Sequence, residues 1–156
     1  MKFLTLFFIF FCISIGAQDL AKMSVFEIKK DKAQRYKLEG VFRQKNNSVK
    51  MAQIVDIRKS FNPECICERV VFDFKNSLPK EIYLVLSAKH KRIFMDLMAT
   101  NTDKYFNPFA KSKKVTDIKY YKLDSEKLSV EMGLKDQSKI EVFTLDNPSR
   151  LVIDIK

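Results

Sequence analysis

Arginine and aspartate recur four apart on three stretches of this chain: Arg69 with Asp73, Arg92 with Asp96, and Arg150 with Asp154. In an extended strand, residues four apart share a face, so each stretch sets a guanidinium near a carboxylate. Planar guanidiniums grip carboxylates and sugars bidentately, and Tyr83, Tyr120 and Tyr121 add rings on which sugars could stack. The same side chains could instead close on one another as surface ion pairs, worth roughly 0 to 1 kcal/mol each. Cys65 and Cys67 stand two apart in Glu64-Cys65-Ile66-Cys67-Glu68. In a straight strand that spacing is near the upper limit for a disulfide, so a bridge requires a bend or bulge, and both a disulfide and two free thiols remain open. His90, the only histidine, lies between Lys89 and Lys91. It can anchor neither a zinc cluster nor a Ser-His-Asp arrangement. No glycine pattern cradles a phosphate, so the reading is of a protein that is not an enzyme and takes no metal or cofactor.

The elements that must position these residues are written in the alternation. Val70, Phe72 and Phe74 fall on one face of their strand, as do Ile82, Leu84 and Leu86, and Ile93, Met95 and Leu97. Later, Leu128, Val130, Met132 and Leu134 alternate with polar or small residues, followed by Ile140 and Val142, then Leu151, Ile153 and Ile155. Period-two patterning means strands with one face buried and one wet. The pattern also repeats. Ile54-Val55-Asp56-Ile57-Arg58 returns as Val115-Thr116-Asp117-Ile118-Lys119, and Arg92-Ile93-Phe94-Met95-Asp96-Leu97 as Arg150-Leu151-Val152-Ile153-Asp154-Ile155. Arg69 and Asp73 return as Lys127 and Glu131. The expected fold is all-β: a β-sandwich of two pseudo-symmetric four-stranded sheets, from repeat A over 52–98 and repeat B over 114–156. Arg and Asp would then line the outward faces.

At the N-terminus, Met1 and Lys2 precede Phe3 to Ile15, apolar except for Thr5 and Ser14, and then Ile15-Gly16-Ala17. This reads as a signal peptide over 1–17, shorter than the about 20 apolar residues a span needs. The expectation is an exported, periplasmic protein with no transmembrane span in its mature part. Residues 18–51 form a polar N-terminal extension, with short strands expected near Val25 to Ile28 and Tyr36 to Phe42. The net charge of +10 favours anionic partners. For an exported protein these are envelope polymers and not nucleic acid.

The strand Arg69-Val70-Val71-Phe72-Asp73-Phe74, the later Arg92-Ile93-Phe94-Met95-Asp96-Leu97, and the closing Asp146-Asn147-Pro148-Ser149-Arg150-Leu151-Val152-Ile153-Asp154-Ile155 together resemble the AMIN domain. That family is a periplasmic module of two symmetrical four-stranded sheets, attached to N-acetylmuramoyl-alanine amidases and some pilus secretins. The resemblance covers 52–156, with Lys127 and Ser129 in place of an Arg-Val pair. It implies peptidoglycan binding, or localisation to a wall-associated complex, without catalysis. The alternative is a structural adaptor of a secretion or pilus machine that binds a protein partner.

Overall fold

The structure, a computed structural model, describes residues 23–31, 35–47 and 50–156. The leader assigned to 1–17, with Cys12, lies outside the described residues. Twelve strands follow one another: β1 (Val25–Glu27), β2 (Lys29–Lys30), β3 (Gly40–Lys45), β4 (Ala52–Asn62), β5 (Cys67–Lys75), β6 (Glu81–Ser87), β7 (Arg92–Met98), β8 (Thr100–Thr102), β9 (Val115–Lys122), β10 (Lys127–Leu134), β11 (Ile140–Leu145) and β12 (Arg150–Ile155). The eight strands expected from the alternation are all among them. No helix occurs in the described residues, and hence none long and apolar enough to cross a membrane.

The two sheets are six-stranded and mixed, not four-stranded as expected. Sheet I runs β1-β3-β6-β7-β10-β9 and sheet II runs β2-β11-β12-β5-β4-β8. The added strands come partly from the N-terminal stretch: β3 pairs antiparallel with β6, while β1 joins β3 and β2 joins β11 in parallel. The strand expected near Val25 to Ile28 is β1, while the one expected over Tyr36 to Phe42 is β3, which begins only at Gly40, and Lys37 makes an isolated bridge to Ile140. β8 lies parallel to the start of β4.

A second correction concerns which repeat builds which sheet. Each sheet takes one hairpin from each repeat, so its central seam joins the two: β7 with β10 in sheet I and β12 with β5 in sheet II. The cause is the connector between β5 and β6. Leu78 and Pro79 are buried there, and the Lys80 amide bonds to the Met98 carbonyl. Successive hairpins therefore land on opposite layers, and each must find its neighbour in the other half of the chain. Matching β4, β5, β6 and β7 to β9, β10, β11 and β12 turns the order β6-β7-β10-β9 into β11-β12-β5-β4, the order found in sheet II.

The core lies between the sheets. Ile82, Leu84, Leu86, Ile93, Met95, Leu97 and Val130 face Val70, Phe72, Ile140, Val142, Leu151 and Ile153. Burying such a side chain contributes about 1.5 to 3 kcal/mol. One polar tie spans sequence positions a hundred apart: the Thr144 hydroxyl of β11 donates to Gln44 Oε1 of β3 at 3.1 Å, and both residues are buried.

Candidate functional site

Outward residues on neighbouring strands fall into rows, because register fixes who stands beside whom. On sheet II, one row is Glu141–Asp154–Arg69–Ser60 and the next is Phe143–Val152–Val71–Arg58. Arg69 Nε and Nη2 donate to both oxygens of Asp154 at 2.7 Å, and the guanidinium lies 5.6 Å from the Phe143 ring centroid. Arg58 holds Asp73 the same way, at 2.6 and 2.8 Å. These bonds to aspartate raise both arginines further above their ordinary value. Asp154 is only 5 % exposed although its strand turns it outward, because Arg69 and its neighbours cover it. Burial first, then Asp154, also pushes the Glu141 carboxyl upward, against a hydrogen bond from the Tyr36 amide and the charges of Arg69 and Lys156. Burial likewise raises the Tyr36 phenol, helped by Glu141 and Asp154. These pairs of sheet II thus spend their charges on one another, and among the described residues Arg150 donates to the Pro148 carbonyl alone, at 3.4 Å.

Sheet I also pairs its charges, but it sets aromatic rings among them. One row reads Arg43–Tyr83–Asp96–Ser129–Tyr121, and the next Val41–Val85–Phe94–Glu131–Lys119. Phe94 sits in the middle of the second row yet remains 41 % exposed. Tyr121, on β9, is 45 % exposed, and its hydroxyl donates to Glu131 Oε2 at 3.2 Å. Tyr83 and Tyr121 end up three strand spacings apart, about 14 Å. Between them lie Asp96, which accepts from the Ser129 hydroxyl and pairs with Lys127 at 2.8 Å, and Glu131, which lies 2.5 Å from Arg92 Nη1. A third row, Ser87–Arg92–Gly133–Asp117, leaves Arg92 and Asp117 3.8 Å apart across a glycine. A Cβ on Gly133 would run into the side-chain oxygens of Asp117 and Thr116, which would have to shift to admit it.

The candidate residues therefore divide. Tyr83, Arg92 and Asp96 share the outer face of sheet I, while Arg69, Asp73, Arg150 and Asp154 belong to sheet II. Tyr120 is a correction. It packs against the core, its hydroxyl donates to the Phe106 carbonyl at 2.7 Å, and burial raises its phenol. It is turned away from any ligand on the outer face, and its neighbour Tyr121 takes the outward place. Phe94 was the residue missed; its signal was an aromatic at the wet phase of an alternating strand.

Cys65 and Cys67 are bridged, with Cα atoms 5.1 Å apart. The required bend comes from Ile66, whose φ is 52°. Among the described residues no group of three or more His, Cys, Asp or Glu is disposed to hold a metal. Compared with known proteins, the chain matches no family model, no curated protein and no solved structure.

Proposed function

We propose that this protein is a non-catalytic cell-envelope module, AMIN-like in character, that binds the glycan of peptidoglycan or another anionic envelope polymer on the outer face of sheet I. The observation that carries this reading is the half-exposed Phe94 at the centre of that face, with Tyr83 and Tyr121 to either side and Asp96, Ser129 and Glu131 between. Rings offer apolar faces to the C–H side of a sugar, while carboxylate and hydroxyl oxygens held in place by the sheet accept from its hydroxyls. Such a flat, ridged strip suits an extended polymer lying across the strands. Lys119, at the end of the second row, favours acidic substituents on the chain, whereas Arg43 is already held by Glu81 at 2.6 Å. The leader expected over 1–17 and the cysteine bridge, a linkage that persists in oxidising compartments, support the reading of an exported protein.

Sedimentation with purified sacculi tests the proposal. Wild-type protein should pellet with them, and the Phe94→Ala and Tyr121→Ala variants should each bind roughly tenfold more weakly. Wild-type protein left in the supernatant would overturn the glycan reading.

The adaptor reading has its own supporting feature. Among the described residues, β9 ends sheet I and is paired only with β10, and β8 covers β4 only from Ala52 to Ile54. An unpaired edge can accept a strand from a protein partner. In that case a defined complex should co-purify from envelope extracts while sacculi bind nothing.

A further inference from the structure

We propose that the Cys65–Cys67 bridge is a thiol-exchange site, a labile disulfide that passes its oxidising equivalents to a thiol. It closes the tip of the β4–β5 hairpin, where Asn62 and Cys67 are the last paired residues and 63–66 form the loop. Pro63 and Ile66 make the turn's hydrogen bond, from the Ile66 amide to the Pro63 carbonyl at 3.4 Å. Ile66 then adopts a left-handed conformation, φ 52°. Glycine and asparagine tolerate that conformation, whereas a β-branched side chain is strained in it. The bridge spans this one residue, so the closed form carries that conformation. A ring enclosing so few residues also gains far less from restricting the unfolded chain than a long-loop disulfide does. Strain in the closed form and small entropic benefit both favour opening.

Access is one-sided. Cys67 is buried, Cys65 is partly exposed, and Ile66 is 65 % exposed beside a half-exposed Phe61. The attacked sulfur is therefore Cys65 Sγ. A thiolate bonds to it, the Sγ–Sγ bond breaks, and Cys67 leaves as a thiolate that takes up a proton. A second thiol then displaces Cys65 from the mixed disulfide. Two thiols are oxidised to one disulfide, and the bridge gains two electrons and two protons to become two cysteines.

The full-length protein and its Ile66→Gly variant should be equilibrated in glutathione buffers of graded ratio, alongside a reference protein with a long-loop structural disulfide. Differential alkylation and mass spectrometry of the peptide containing 65–67 then report its redox state independently of Cys12. The wild-type bridge is expected to open in buffers that leave the reference closed, and Ile66→Gly should shift the ratio needed to open it roughly tenfold toward reducing conditions. A bridge that opens only with the reference, or one that Ile66→Gly does not shift, overturns the proposal. A parallel arm with two cysteine peptides, one flanked by apolar and one by polar residues, distinguishes the source of the thiol. Faster exchange with the apolar peptide points to a protein partner docking on Phe61 and Ile66, and equal rates point to small thiols.

Discussion

Arg69 and Arg58 each grip one aspartate through two hydrogen bonds, yet their partners differ in burial. Asp154 is nearly inaccessible and Asp73 is not, so Arg69→Ala strands a desolvated carboxylate while Arg58→Ala leaves one that water can reach. Arg69→Ala should cost about 2 to 3 kcal/mol and Arg58→Ala no more than about 1 kcal/mol, as read from urea unfolding midpoints. Equal losses would show that burial does not set the difference. Glu141 makes the opposite prediction. Its carboxyl is raised in the folded protein, so the native state holds the proton more tightly than the unfolded chain. Its contribution is complete below the ordinary carboxylate range and is lost as pH rises through the folded value. Glu141→Gln should match wild type in acid and be more stable at neutral pH by a few tenths of a kcal/mol. A variant less stable at pH 7 would contradict this. The outward phase of all these residues except Tyr120 was legible from alternation. Their pairing was not, because partners such as Arg69 and Asp154 come from different repeats, 85 residues apart.

At the scale of elements, Glu68 shows what a break in pattern can mean. It occupies an inward phase of β5, where the alternation calls for an apolar residue, and it is 1 % exposed. Its Oε2 accepts from the Ser112 hydroxyl at 2.7 Å and from the Lys113 and Lys114 amides at 3.0 and 2.7 Å. One carboxylate thereby fastens the loop that joins the repeats to the end of sheet II. Glu68→Ala should cost about 2 to 4 kcal/mol, since buried donors lose their acceptor, and the Lys113 and Lys114 amides should exchange with deuterium faster. Unchanged exchange would mean that other contacts hold the loop. The sequence marked Glu68 only as a violation of period two, whereas the strands themselves stood out because their apolar residues obey it. The bend at Ile66 had no local signal of its own, since neither glycine nor asparagine stands there.

At the scale of the whole molecule, the sequence disclosed a doubled set of strands but not their assembly. Alternation specifies which face is buried and says nothing about which edge meets which, so the exchange of hairpins between sheets was invisible. Before residue 52 the sequence foresaw strands near Val25 to Ile28 and, with a later start, within Tyr36 to Phe42, but not that β3 and β2 cover the edges of β6 and β11. A chain beginning at residue 52 should therefore lose the Gln44–Thr144 tie, unfold at lower temperature and self-associate through its bared edges, which calorimetry and light scattering would detect. A shortened chain as stable and monodisperse as the parent would show these strands to be dispensable.

The hairpin exchange also governs what can be divided. A break in the segment between β8 and β9 would separate β7 from β10 and β12 from β5 along both seams at once. Neither piece would own a finished layer, so each would lack a surface on which to shield its oily side. The two halves are mutual templates, and evolution could not have parted them into freestanding proteins without first rerouting the chain.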